Sequence, residues 1–160
     1  MSLIVNSAVS SGRLRCLMPL LFAGLAAPLL AAAANQAPAR VAGYRDLGAA
    51  FKAFNDALRS PSPQPAILQA SVRKIRSAAA QQYGWFPSGS APRPGLKTAA
   101  KPEIWSQPGR FRQSQDAFSA QAAALEPAVA SGNLAVMRTA ARSLGAACKG
   151  CHDQFRFDLD

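Results

Sequence analysis

Close to the end of the chain stands Cys148-Lys149-Gly150-Cys151-His152, and this stretch limits the fold more than any other. On a helix, positions i, i+3 and i+4 share one face, so both thiols and the imidazole can meet a single flat partner. Two cysteines at that spacing, followed at once by histidine, form the C-x-x-C-H pattern of covalent haem attachment. The thiols add across the haem vinyl groups to give thioethers, and the adjacent imidazole coordinates the iron from the same side. Cys148 and Cys151 are therefore the expected attachment points of one haem c, and His152 its expected metal ligand. A redox dithiol would need a βαβ setting, and nothing in the chain reads as strand. A zinc site would need further ligands. His152 is the only histidine, and the third cysteine, Cys16, lies in a segment expected to be removed.

That segment is residues 1–34. Arg13 and Arg15 precede an apolar run from Leu17 to Leu30, and Ala31-Ala32-Ala33-Ala34 then offers a small-residue cleavage site. A transit peptide shares the arginines and serines, but the compact apolar core favours a secretory signal and a periplasmic destination. Pro19, Gly24 and Pro28 interrupt the run, which disfavours a membrane anchor. Cys16 precedes the apolar core, so it is not placed like a lipoprotein cysteine. Cleavage leaves 35–160, about 126 residues and enough for one domain with a real core. Lys+Arg falls from 18 to 16 while the 8 acids stay, a formal +8. The basic residues stand singly or in short groups along the chain, and with an export signal this argues against nucleic acid. A basic surface suits acidic protein partners or solubility alone.

The rest reads as helix. Tyr44, Leu47, Phe51, Phe54 and Leu58 step by 3, 4, 3, 4, giving a first helix over about 40–60 with one apolar seam. Prolines 61, 63 and 65 end it. A second helix is expected over 66–82, with Leu68, Val72, Ile75 and Ala79 inward. The proline-rich stretch 83–109 is a long connection whose Trp85, Phe86 and Trp105 cover a cofactor edge, form a small core of their own, or do both. A third helix is expected over 110–130, kinked or ended early by Pro127, followed by a tight reversal at Ser131-Gly132-Asn133. The fourth carries Leu134, Met137, Ala141, Leu144, Cys148, Cys151 and Phe155 on one seam. The cysteines thus share a face with core residues. The expected fold is all-α: an antiparallel four-helix bundle with haem inside, near the C-terminal helix.

The second axial position decides function. Met137 is the only methionine after residue 34. It lies fifteen residues before His152 on the same helix, roughly 22 Å along the axis at 1.5 Å per residue, so it is expected in the core. Lysines, the new N-terminal amine and Tyr44 remain as weaker ligands, and five-coordinate iron is the expectation.

At Arg40-Val41-Ala42-Gly43-Tyr44, Phe86-Pro87-Ser88-Gly89-Ser90, Lys101-Pro102-Glu103-Ile104-Trp105 and Cys148 to Arg156, the chain resembles the class II c-type cytochromes, and within them the cytochromes c′, over essentially all of 38–160. The resemblance implies that Tyr44 stands over the distal iron, that Arg40 meets a haem propionate, and that Arg156 lies beside the proximal imidazole. Phe86, with Tyr83, would line the pocket. Read without the resemblance, Tyr44 is an ordinary seam residue, Arg40 a solvated one, and Arg156 a complement to the helix dipole. The six-coordinate branch, like cytochrome c-556, uses a methionine from the first helix, and none lies between Arg40 and Ser60. The resemblance also implies a homodimer through the first two helices, with which the small face Ala49, Ala53, Ala57 is compatible. Two functions follow as expectations: binding of small diatomics such as NO and CO, or periplasmic electron transfer between redox proteins. Peroxidase chemistry would need a distal acid–base histidine, so no enzymatic role is expected.

Overall fold

The computed structural model describes residues 36–158. The expected signal segment 1–34 lies outside the described residues. Four long helices carry the fold: α1 (Gln36–Arg59), α2 (Pro65–Gln81), α4 (Pro108–Ala130) and α5 (Leu134–Phe155), with one short helix, α3 (Glu103–Ser106), before the third of them. α1 begins four residues earlier than its apolar spacing indicates. Pro38 is tolerated because the first turn of a helix has no use for its missing N–H, and Ala37 is buried. Pro65 and Pro108 open α2 and α4 for the same reason.

Between α4 and α5 the chain reverses at Gly132, whose φ of 66° is the left-handed conformation glycine adopts without strain. Asn133 then caps α5, its Oδ1 accepting from the backbone N–H groups of Ala135 (2.9 Å) and Val136 (3.3 Å). Pro127 does not end α4. The helix continues to Ala130, held by the burial of Leu125 and Ala128.

The main core lies between the four long helices, with Phe54, Ile75, Leu125 and Leu144 wholly buried. Met137 is buried in it, as expected, and the inward set of α2 is buried as well. A buried amide pair ties the end of α2 to α4: Gln82 Nε2 donates to the Gln115 carbonyl, and Gln115 Nε2 to the Gln82 carbonyl, each at 3.2 Å. The face Ala49, Ala53, Ala57 is not uniform. Ala49 and Ala53 are exposed, but Ala57 is part of the core.

A second, smaller core caps one end, where Ile104, Phe111 and Phe155 pack with Phe86, Trp105 and Cys151. Its rings meet edge to face: Phe86–Phe111 at 4.8 Å and Phe111–Phe155 at 5.2 Å between centroids. The connection also gains a pairing that the sequence did not signal. Ala100 and Arg156 form an isolated antiparallel bridge, with Lys101 N–H to Phe155 O at 2.9 Å and Phe157 N–H to Ala99 O at 2.8 Å. Around the bundle, α1/α2, α2/α4 and α4/α5 pack along their lengths, whereas α1 and α5 touch only sparsely. The ring of helices is therefore loosest between its first and last members.

Candidate haem site

The loose seam is where the singled-out residues converge. Seam spacing along α5 brings Cys148 against the main core and Cys151 against the aromatic end core. Both thiols are half-buried and free. Burial raises the pKa of each, and Cys151 is pushed up to about 11 by burial and by its neighbour Cys148. Both are therefore protonated near neutral pH.

From α1, Tyr44 reaches the same place. Its ring stands edge-on to Trp85, with centroids 4.8 Å apart, and lies 6.2 Å from Phe86. Burial is the main cause of its raised phenol pKa, and the Cys151 and Cys148 thiols add to it while Arg40 opposes it. Tyr44 and Cys148 both pack against the main core, and Tyr44 is a neutral phenol. Gly43 makes the arrangement possible: a Cβ there would fall 2.4 Å from Trp85 Cζ2 and 2.5 Å from Cη2.

Arg40 is not solvated; it is 3% exposed. Its Nη1 donates to Ser90 Oγ (3.1 Å) and its Nη2 to Thr98 Oγ1 (3.0 Å), with further contacts to the Ser90 carbonyl. The guanidinium carbon sits 5.1 Å from the Phe86 ring centre and 5.6 Å from that of Trp105. Among the described residues no carboxylate pairs with it. Burial lowers its pKa, with Tyr44 opposing. A buried cation held only by neutral acceptors keeps an unmet preference for an anion.

His152 occupies the last turn of α5 and is exposed. The burial that it has, together with Arg156, lowers its imidazole pKa against the pull of Asp153. Arg156 follows one turn later, its backbone N–H donating to the His152 carbonyl at 3.0 Å. Tyr83 lies elsewhere. Its hydroxyl donates to Asp116 at 2.8 Å, and Arg112 stacks over its ring at 4.1 Å, so it belongs to the α2/α4 side and not to this pocket.

The donor set fits a haem: paired neutral thiols on one helix face, an imidazole one residue on, an aromatic wall, and a buried cation suited to a propionate. Reading the sequence left three participants unassigned. Ser90 and Thr98 hold Arg40, and Phe111 joins the wall. Arg40 itself carried a signal, since it stands four residues before Tyr44 on the same seam. Ser90 closes one of the stretches that carry the resemblance but was given no role there, and Thr98, a loop hydroxyl with no periodicity, had no signal.

Comparison with known proteins agrees. The family model described as Cytochrome C′ matches residues 35–156, most of the chain and all of the site. The chain belongs to the cytochrome c′ family. These are non-enzymatic haem c proteins, and cytochromes c′ are themselves a standard instance of the up-and-down four-helix bundle. Cytochrome c′ of Alcaligenes xylosoxydans xylosoxydans is 32% identical over 108 residues, 66% of this chain and 80% of that protein. That of Rubrivivax gelatinosus is 40% identical over 62 residues, 39% of this chain and 48% of the relative. Among solved structures, a nitric oxide complex of a single-residue variant of cytochrome c prime from Alcaligenes xylosoxidans superposes with a TM-score of 0.71 at 27% identity, covering 79% of this chain and 97% of that one. A cytochrome c′ with an unusual ligand-controlled dimer dissociation gives 0.71 at 26% identity with the same coverage.

Proposed function

We propose that this cytochrome c′-family protein carries one haem c, linked through Cys148 and Cys151 and ligated by His152, in a five-coordinate, high-spin state that binds small diatomics, NO and CO. The observation that carries this reading is Tyr44. Its side chain, packed against the same core as Cys148, is a neutral phenol standing edge-on to Trp85, not a strong ligand. Met137 is locked in the main core and His152 is the only histidine, which supports a vacant sixth position.

The haem supplies an iron that changes between ferric and ferrous and accepts a ligand. The chain does the rest. Tyr44, braced by Trp85, narrows the distal side so that a small uncharged molecule fits better than a larger or polar one. Phe86 and Phe111 exclude water from one edge. Arg40 holds the loop at Ser90 and Thr98 and offers its guanidinium to a propionate. His152 presents a neutral imidazole, with Arg156 one turn away. Nitric oxide complexes of cytochrome c prime from Alcaligenes xylosoxidans support the choice of ligand.

The same reading places the protein in the periplasm after loss of 1–34. Among the described residues no helix is long and apolar enough to cross a membrane. A homodimer through α1 and α2 belongs to it as well. An apolar-floored groove of about 600 Å³ runs between those helices beside Ala49, Ala53 and Ala70, and a relative is described by the dissociation of its dimer. One-electron exchange with a redox protein follows from the iron itself.

The test is a spectrum. Protein matured with haem-attachment machinery is expected to gain the mass of one haem, show a high-spin ferrous spectrum, and form CO and NO adducts. A sharp low-spin ferrous spectrum with no CO adduct would overturn the five-coordinate reading and leave a six-coordinate electron carrier.

A further inference from the structure

Cations that stand apart in the sequence are collected by the fold along one side. On α1, Arg45, Lys52 and Arg59 recur every seven residues, which sets them in one exposed row. On α5, Arg138, Arg142 and Lys149 do the same at spacings of four and seven. The rows border the α1/α5 seam. Between them lies a groove of about 340 Å³ with an apolar floor of Phe51, Leu58 and Ala141. Arg138 spans it, donating from Nη2 to the Leu58 carbonyl at 3.0 Å.

Counter-charge on this side is scarce. Asp56 pairs with Lys52 and Arg59, and Asp153 with Lys149. Six cations thus meet two carboxylates, so half of the formal +8 left by the 16 basic and 8 acidic residues after position 34 belongs to one face. An apolar floor inside a charged rim is the anatomy of a protein interface, and a one-signed field steers an oppositely charged partner towards it. The two ridges are separated by a concavity. A flat bilayer would rest on the ridges and leave the floor unfilled, whereas an acidic protein surface can enter it.

We propose that the α1/α5 face docks an acidic electron-transfer protein and presents it to the cofactor edge at the Tyr44–Cys148 end of the same seam. This rests on the haem reading above for what the partner exchanges, but not for where it binds.

The test uses haem-loaded, ¹⁵N-labelled protein titrated with an acidic blue-copper protein in its diamagnetic reduced state. The expected result is chemical-shift change confined to the α1 and α5 rows and their groove, lost as salt rises to roughly 0.2 M, where the screening length is about 7 Å. Charge reversal at Arg59→Glu, Arg138→Glu and Arg142→Glu is expected to weaken binding by about tenfold or more. Reversal of Arg73, Lys74 and Arg76 on α2 alters net charge equally and is expected to change binding far less. Because Arg138 also bonds to the backbone of α1, the pair Lys52→Glu and Lys149→Glu serves as a second variant, with weakening in the same direction. Equal weakening by the α2 variant would overturn the proposal, as would shifts mapping to another face, tighter binding to phosphatidylglycerol vesicles, or burial of this face by self-association. Failure of the haem reading would appear separately, as an intact mass without haem.

Discussion

At position 40 a positive charge is held where water barely reaches it, and its partners are two hydroxyls, a carbonyl and two ring faces. Replacing Arg40 with leucine removes the bonds that fix Ser90 and Thr98. The expected cost is about 1–3 kcal/mol in denaturant unfolding, with faster amide exchange over 87–98 as the local signature. Arg40→Lys is expected to keep the charge but not the fork of contacts, and so to fall between the two. Gly43 acts through what it lacks. Gly43→Ala drives a methyl into the Trp85 ring, where the gap is 2.4 Å. The expected destabilisation is about 1–3 kcal/mol, with a shift in tryptophan fluorescence as the ring gives way and slackening of Tyr44 beside it. At this scale the sequence was half legible. Cys148, Cys151 and His152 announce themselves by spacing, and Tyr44 by its seam position. The close approach of Trp85 to Gly43 is a tertiary contact across some forty residues, and no local pattern encodes it.

Elements were easier to read where apolar spacing is strong. The Tyr44–Leu58 seam of α1 and the Leu134–Phe155 seam of α5 were both plain, and both helices formed. The start of α1 was missed because only Ala37 marks the added turn, whereas the end of α4 falls at Ala130 as its spacing indicated, the alternative of an early stop at Pro127 being outweighed by the packing of Ala128. The Ala100–Arg156 bridge had no signal at all, being two residues long and dependent on where the last helix stops. Asn133 gives an element-scale prediction. Its side chain accepts two orphan N–H groups at the start of α5, so Asn133→Ala is expected to cost about 1 kcal/mol of global stability. Thermal denaturation measures this, and a loss confined to the first turn by amide exchange would show that the cap acts locally.

For the whole molecule, four helices with a shared interior followed from periodicity, but their unequal packing did not. That the first and last helices touch least, and that scattered cations line up on both sides of the resulting seam, depends on how the helices are rotated about their axes, which a linear sequence shows only after register is known. The separation of the two cores gives a prediction at this scale. Phe54, Ile75, Leu125 and Leu144 are wholly buried in a core that Cys148 only flanks, while Cys151 packs on the other one. A Cys148→Ser, Cys151→Ser protein is therefore expected to keep its helical circular dichroism and a cooperative melt, at a lower temperature than the haem-bearing form because a bound group stabilises only the folded state.

That independence bears on how such a molecule is built. If the scaffold stands before its pigment arrives, the open seam is a doorway through which a porphyrin can be fitted late.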